Sequence, residues 1–316
     1  MRLEQFAYAV AVAEEESFSR AGDRLGVAQP SLSRQIRLLE QQLGLRLFHR
    51  GPGHPTVELT PDGAAILPFL RRVLADVEAI TAEARALAGT DTGHLRLGAT
   101  PSLTTSLLPE VLARFRDRHP GLVLSIVEAG SRDLVSSVAD GGVDLAFVVL
   151  PVDQSQVATQ ALFDERLVLA VPRSHPLAGS RQVRLADLAS MPMVVFRPGY
   201  DLREVTLDAF RRAGLTPRVA LEGGEMDGVL AFVAAGLGAA IVPGLVLEAN
   251  PELVGLPFAD GDLSRTVALA YRSDRPLPRA AAALLAQVTA EPWEADPRMG
   301  GRIRVTGRGA TPGRPA

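Results

Sequence analysis

The sequence predicts an α/β protein of several parts: a small helical domain, one long connecting helix, and a larger two-lobed α/β domain. Three observations predict it. Residues 1–60 carry helical periodicity and then a Gly/Pro-rich hairpin, residues 61–88 hold a single apolar repeat, and residues 93–290 alternate short apolar strands with helices. With 316 residues, two or three domains are expected.

The first helix is predicted from Leu3 to Glu15, with Leu3, Phe6, Ala7, Val10 and Ala13 as its inward stripe. Ser17 is placed to cap a second helix, Phe18–Leu25, and Gly26–Val27–Ala28 forms a tight turn. A third helix follows in QPSLSRQIRLLEQQLG, with Pro30 in its first turn and Gly44 at its end. At 100° per residue, Leu32, Ile36, Leu39 and Leu43 fall in one narrow sector that must face a core. Pro30, Arg34, Arg37 and Gln41 fall opposite, flanked by Ser33. A helix that reads base edges in a major groove presents such side chains at its N-terminal outer face: Arg to guanine, Gln to adenine, Ser to either. Taken alone, the helix is equally an ordinary amphipathic one with a charged outer face.

The surroundings favour the DNA reading. Leu47 and Phe48 are apolar anchors, residues 50–55 (RGPGHP) are turn-forming, and Val57 and Leu59 resume an alternating strand. That is a β-hairpin wing with Arg50 at its base, suited to a minor groove or to phosphates. From Ser17 to Arg72 there are eight Arg against four acids, although the whole chain carries a net charge of −3. The candidate DNA contacts are Ser17, Gln29, Pro30, Ser31, Ser33, Arg34, Arg37 and Arg50, with the helix-turn-helix spanning Phe18 to Arg37.

The ordered run SFSRAGDRLGVAQPSLSRQIRLLEQQLGLRLFHR, followed by LTPDG at 59–63, resembles the LysR-type transcriptional regulators over residues 3–66. The resemblance implies a winged helix-turn-helix and a linker helix that dimerises, followed by a C-terminal effector-binding domain. It also implies homodimers or homotetramers on interrupted palindromes of double-stranded DNA; RNA polymerase is a further expected partner. Two details depart from the family pattern. Ala28 stands where Ser is frequent, and Pro52–Gly53–His54–Pro55 makes a stiff wing tip.

In the linker, Thr60 caps and Pro61 starts a helix whose residues Ile66, Leu70, Val73, Val77, Ile80, Ala84 and Leu87 repeat at spacings of four and three. Such a narrow seam calls for a helix partner; the alternative is a single helix packed on its own effector domain. Pro68 bends the helix near its start. Gly89–Thr90–Asp91–Thr92–Gly93 forms a hinge of small residues.

Beyond the hinge, strands are expected at 95–99, 123–129, 144–150, 167–171, 193–196, 218–222, 239–242 and 265–272. Helices are expected at 104–118, 132–140, 201–213, 226–236 and 278–290. The two similar halves form a hinged pair around a cleft, a periplasmic-binding-protein-like arrangement that the resemblance also implies. Lobe I covers about 93–163 and 268–290, and lobe II about 164–267. Ligands of such sheets lie beyond the carboxyl ends of strands, near helix starts. The candidate effector contacts are therefore Thr100, Ser102, Ser131, Val148, Phe196, Arg197, Gly224 and Glu225. Hydroxyls and helix-start N–H groups favour an anion, with Arg197 or Arg203 as its charged partner, so a small carboxylate-like effector is expected. Each hydroxyl is also explicable as a plain helix cap. The glycines of VAAGLGAAIVP (233–243) do not form GxGxxG and are read as structural.

The composition excludes several chemistries. No cysteine is present, so disulfides, thiolate ligands and thiol redox sensing are out. The five histidines are scattered, so no metal and no cofactor are expected. There is no GxSxG and no P-loop, which argues against an enzyme. No apolar run reaches the length of a membrane span, and Glu4 and Glu14–Glu15–Glu16 do not suit a secretory signal, so a cytoplasmic protein is expected. An export-dependent solute-binding protein and a ligand-blind architectural DNA binder fit less well: the first leaves residues 1–60 without a use, the second about 200 residues of α/β structure. The domain limits read as 1–60, 61–92, 93–290 and an Arg-rich disordered tail, 291–316.

Overall fold

The structure is a computed structural model that describes residues 1–49, 57–87, 93–152, 156–259, 261 and 263–290. Arg50, the wing tip at 51–55, the hinge residues 89–92 and the tail at 291–316 lie outside the described residues. The chain divides into two compact units, one helical and one α/β.

The helical unit contains α1 (Leu3–Glu15), α2 (Phe18–Leu25), α3 (Gln29–Leu43) and α4 (Pro61–Leu87). Leu32, Ile36 and Leu39 of α3 are fully buried with Ala9 and Val12 of α1, Ala21 of α2 and Phe48. Each large aliphatic side chain so buried contributes about 1.5–3 kcal/mol. The inward stripe of α1 differs from the expected one. Gln5, Ala9 and Val12 point inward, Leu3 is exposed, and Phe6, Val10 and Ala13 are half-buried flanks of the same core. Gln5 takes a core position because its amide is satisfied there. Its Nε2 donates to Gln35 Oε1 at 3.2 Å, and its Oε1 accepts from Arg2 N at 2.9 Å.

The caps follow the expected chemistry. Ser17 Oγ accepts from Arg20 N, Thr60 Oγ1 accepts from Gly63 N, and Gly44 ends α3 at φ 72°. The base of the wing is a bridge between Phe48 and Leu59, extended by His49 N donating to Glu58 O. Glu40 organises its entry: this buried carboxylate accepts from Leu47 N at 2.9 Å and Phe48 N at 3.4 Å.

The α/β unit holds β1 (Gly93–Ala99), α5 (Pro101–Ser106), α6 (Leu108–Arg118), β2 (Leu122–Glu128), α7 (Ser131–Ala139), β3 (Leu145–Leu150) and β4 (Val157–Pro172). It continues through β5 (Pro192–Val195), α8 (Asp201–Arg212), β6 (Arg218–Glu222), α9 (Met226–Ala234), β7 (Ala240–Pro243), β8 (Leu253–Leu256), β9 (Ser264–Arg272) and α10 (Arg279–Ala290). β1 pairs in parallel with β2 and β3, and β5 in parallel with β6. β9 runs antiparallel between β3 and β4, so the expected parallel sheet is in fact mixed.

Three expectations need correction here. The strand expected at 167–171 is the end of a 16-residue strand, β4. Its first part pairs with β9 and its last part with β7 and β8, so it serves both lobes. The helix expected at 104–118 is two helices, α5 and α6, because Pro109 lies in the first turn of α6 and cannot continue a helix from α5. Strand β8 has no counterpart in the expected set.

Each lobe has its own core. Leu95, Leu97, Phe115, Phe147, Phe163 and Leu284 fill one. Leu169, Phe196, Phe210, Val229 and Ile241 fill the other. Ala146 and Val148 pack on the opposite sheet face from Phe147, as strand alternation requires.

Candidate nucleic-acid interface and ligand cleft

The outer face of α3 is built by what its inner face buries. With Leu32, Ile36 and Leu39 turned inward, Gln29, Pro30, Ser31, Arg34 and Arg37 are exposed together at its N-terminal half. Ser33 is half-buried, and its hydroxyl accepts from Arg37 Nη2 at 3.4 Å. Ser17 is half-buried and acts as a helix cap. The local excess of arginine is partly compensated: Arg24 bridges Glu14 at 2.9 Å and Glu15 at 3.2 Å, and Arg20 lies 3.7 Å from Glu15. Arg34 has no ion-pair partner among the described residues, so its charge is free to meet a phosphate or a guanine.

In the α/β unit a cavity of about 110 Å³ opens between the two lobes. Thr100, Pro101, Ser102, Glu128, Ala129, Gly130, Asp133, Val149 and Arg265 line one side. Arg197, Gly199, Tyr200, Asp201, Leu202 and Glu225 line the other. Of the eight residues named from the sequence, Thr100, Ser102, Arg197 and Glu225 lie on this cleft, and four do not. Ser131 is buried as a tether, its hydroxyl accepting from Val149 N at 3.0 Å. Val148 points into a core, and its neighbour Val149 reaches the cleft instead. Phe196 is buried and stacks on Tyr200 with ring centres 4.6 Å apart. Gly224 contributes its carbonyl, which accepts from Arg197 N.

The arginines are already engaged. Arg197 donates to Glu225 Oε1 through Nε at 3.0 Å and Nη2 at 2.7 Å. Arg203, the other cation considered, is turned away from the cleft. Its Nη1 donates to Phe196 O, and its Nη2 lies 3.2 Å from Glu222. Arg265 is the unforeseen member. Its side chain is 5% exposed and that of Glu165 is 3% exposed, on directly paired positions of β9 and β4. Arg265 Nε and Nη2 donate to Glu165 Oε2 at 2.8 and 2.7 Å, and Nη1 donates to Ser102 Oγ at 2.9 Å. Glu165 Oε1 also accepts from Leu245 N at 3.1 Å. Buried charge is thus compensated by geometry and hydrogen bonding, as a low-dielectric site requires.

Tyr200 was also missed. The residue is 8% exposed, and its hydroxyl is buried without a hydrogen-bond partner among the described residues. Burial pushes that hydroxyl well above the usual phenol range, with the nearby Arg265 opposing the shift. It is therefore a neutral donor and acceptor at any physiological pH. Thr100, expected as an effector contact with a plain helix cap as the alternative, makes no side-chain cap bond to α5; its Oγ1 lies 3.4 Å from Ser102 Oγ. Among the described residues, no group of three or more His, Cys, Asp or Glu is arranged to hold a metal, and no helix is long and apolar enough to cross a membrane.

Two family models match the chain: the bacterial regulatory helix-turn-helix protein, lysR family, over residues 3–64, and the LysR substrate binding domain over residues 88–293. A probable hydrogen peroxide-inducible genes activator of Mycobacterium avium is 35% identical over 268 residues, 84% of this chain and 86% of that protein. A full-length OxyR variant from Pseudomonas aeruginosa superposes with a TM-score of 0.71 at 28% identity, covering 91% of this chain and 94% of that one. Full-length CbnR in complex with its target DNA gives a TM-score of 0.67 at 26% identity, covering 92% of this chain and 99% of that one. These relatives are regulators of transcription, not enzymes.

Proposed function

The chain belongs to the LysR family of bacterial helix-turn-helix regulators, and from that premise we infer that it reads DNA through α3 while a small effector in the cleft sets its activity. The observation that carries the DNA half is the exposed row Gln29, Pro30, Ser31, Arg34 and Arg37 on a helix whose opposite face is fully buried. Ser33 and Ser17 support that face, and Arg50, outside the described residues, is a further proposed DNA contact. The reader is a homodimer or homotetramer acting in the cytoplasm on an interrupted palindrome, with RNA polymerase as its downstream partner. Residues 1–60 serve the DNA, 61–92 serve dimerisation, and 93–290 serve the effector. An effector carboxylate is held by the Thr100 and Ser102 hydroxyls and by Arg265, which has five N–H donors and uses three of them in the bonds described.

The effector is not sensed by thiol chemistry, because the chain has no cysteine. Recovering DNA from a random-sequence pool with the full-length protein tests the DNA reading. A pair of inverted half-sites is expected; a pool with no enriched sequence contradicts it.

A further inference from the structure

We propose that the effector of the cleft carries a protonated amine as well as a carboxylate, making it a small zwitterion of the amino-acid class. This rests on the cleft being the effector site and adds to it the chemistry of the ligand. The cleft is lined by four carboxylates and two guanidiniums. Both guanidiniums are compensated, Arg197 by Glu225 and Arg265 by Glu165. Glu128, Asp133 and Asp201 are left with no cationic partner among the described residues, although Asp201 accepts a long bond from Ser131 N at 3.4 Å. A simple carboxylate entering this cleft meets more negative than positive charge. A ligand that brings its own cation reverses that balance.

First-turn acids often serve only the helix dipole, which accounts for Asp133 in α7 and Asp201 in α8. It does not account for Glu128, which ends a strand. Nor does it account for Tyr200, whose buried hydroxyl on the same cleft has no partner. Buried polar groups are nearly always hydrogen-bonded, so an unpartnered hydroxyl on a residue that lines the cleft is open to a ligand atom. Glu225, Glu128 and Asp201 line the same cleft as Tyr200. Among the described residues these carboxylates are not gathered into a set that could hold a metal. A cavity of about 110 Å³ suits a compact molecule. The donors on the far side, Ser102 and Arg265, receive the carboxylate end.

Calorimetric titration of the full chain at fixed ionic strength tests this. The probes are the common L-amino acids, their N-acetyl derivatives, and the parent carboxylic acids that lack the amine. At least one free amino acid is expected to bind, and to bind at least tenfold more tightly than its N-acetyl and amine-free counterparts. Asp201→Asn and Tyr200→Phe should each weaken that binding about tenfold, and Tyr200→Phe should melt no lower than the wild type. Equal binding of the amine-free acid, lost on Ser102→Ala, overturns the amine while leaving the cleft as the effector site. Binding that is indifferent to Ser102→Ala, Asp201→Asn and Tyr200→Phe overturns both. Failure of every amino acid to bind overturns the amino-acid class.

Discussion

Gly63 sits in the first turn of α4, where an added Cβ would overlap the carbonyl oxygen of Leu47. The same carbonyl accepts from Thr60 N, so it is held in place and cannot give way easily. Gly63→Ala is expected to destabilise the helical unit by about 2–3 kcal/mol, the upper part of the usual overpacking range, and a thermal melt of the variant checks it. Glu165 is a second position where one atom group decides the outcome. Glu165→Ala leaves Arg265 buried without its carboxylate and Leu245 N without its acceptor, which should cost about 3–5 kcal/mol. Denaturant unfolding measures that loss; a variant as stable as the wild type would show the pair to be dispensable. At this scale the sequence was only partly legible. That Thr100, Ser102, Arg197 and Glu225 line one cleft was legible because they follow strand ends. Arg265 was not, because it meets Ser102 across 163 positions of the chain and because a buried arginine contradicts the ordinary expectation for its type. The tethering bond of Ser131 was not legible, because one hydroxyl serves equally as ligand contact and as backbone tether until its neighbour, Val149 N, is seen.

Among the elements, the helices of the N-terminal unit were the most legible, since their caps and apolar periods are local. The limits of α1, α2 and α3 follow from Ser17, Pro30 and Gly44. β4 was the least legible, because its extent is set by pairing with β9 rather than by its own apolar pattern. α4 shows both effects. Its expected seam began at Ile66 and Leu70, but these pack into the helical unit's own core. The apolar row left outside is Phe69, Val73, Val77 and Ile80, which are 59%, 38%, 36% and 69% exposed. A row of that kind along a long helix is the raw material of a helix–helix contact. Val77→Asp is therefore expected to shift the protein toward monomer in sedimentation while leaving its helical content intact. A variant that sediments with the wild-type oligomer would count against dimerisation through this row.

For the whole molecule, a net charge of −3 looks unsuited to DNA, yet binding depends on where the charge lies. Arg20 and Arg24 answer the acids at the end of α1, while Arg34 and Arg37 stand on the outer face of α3. In the α/β unit Glu128, Asp133, Asp201 and Glu225 line the cleft. One chain thus holds an exposed cationic helix face in one unit and an acid-lined cleft in the other. The reading face is the central claim, and the affinity of the full-length protein for its selected DNA site tests it most directly. Measured at one fixed salt concentration, Arg34→Ala should weaken that affinity by about 1–3 kcal/mol and relax the base preference at one position of each half-site. An Arg34→Ala protein that binds the same site with unchanged affinity and unchanged preference would contradict the account.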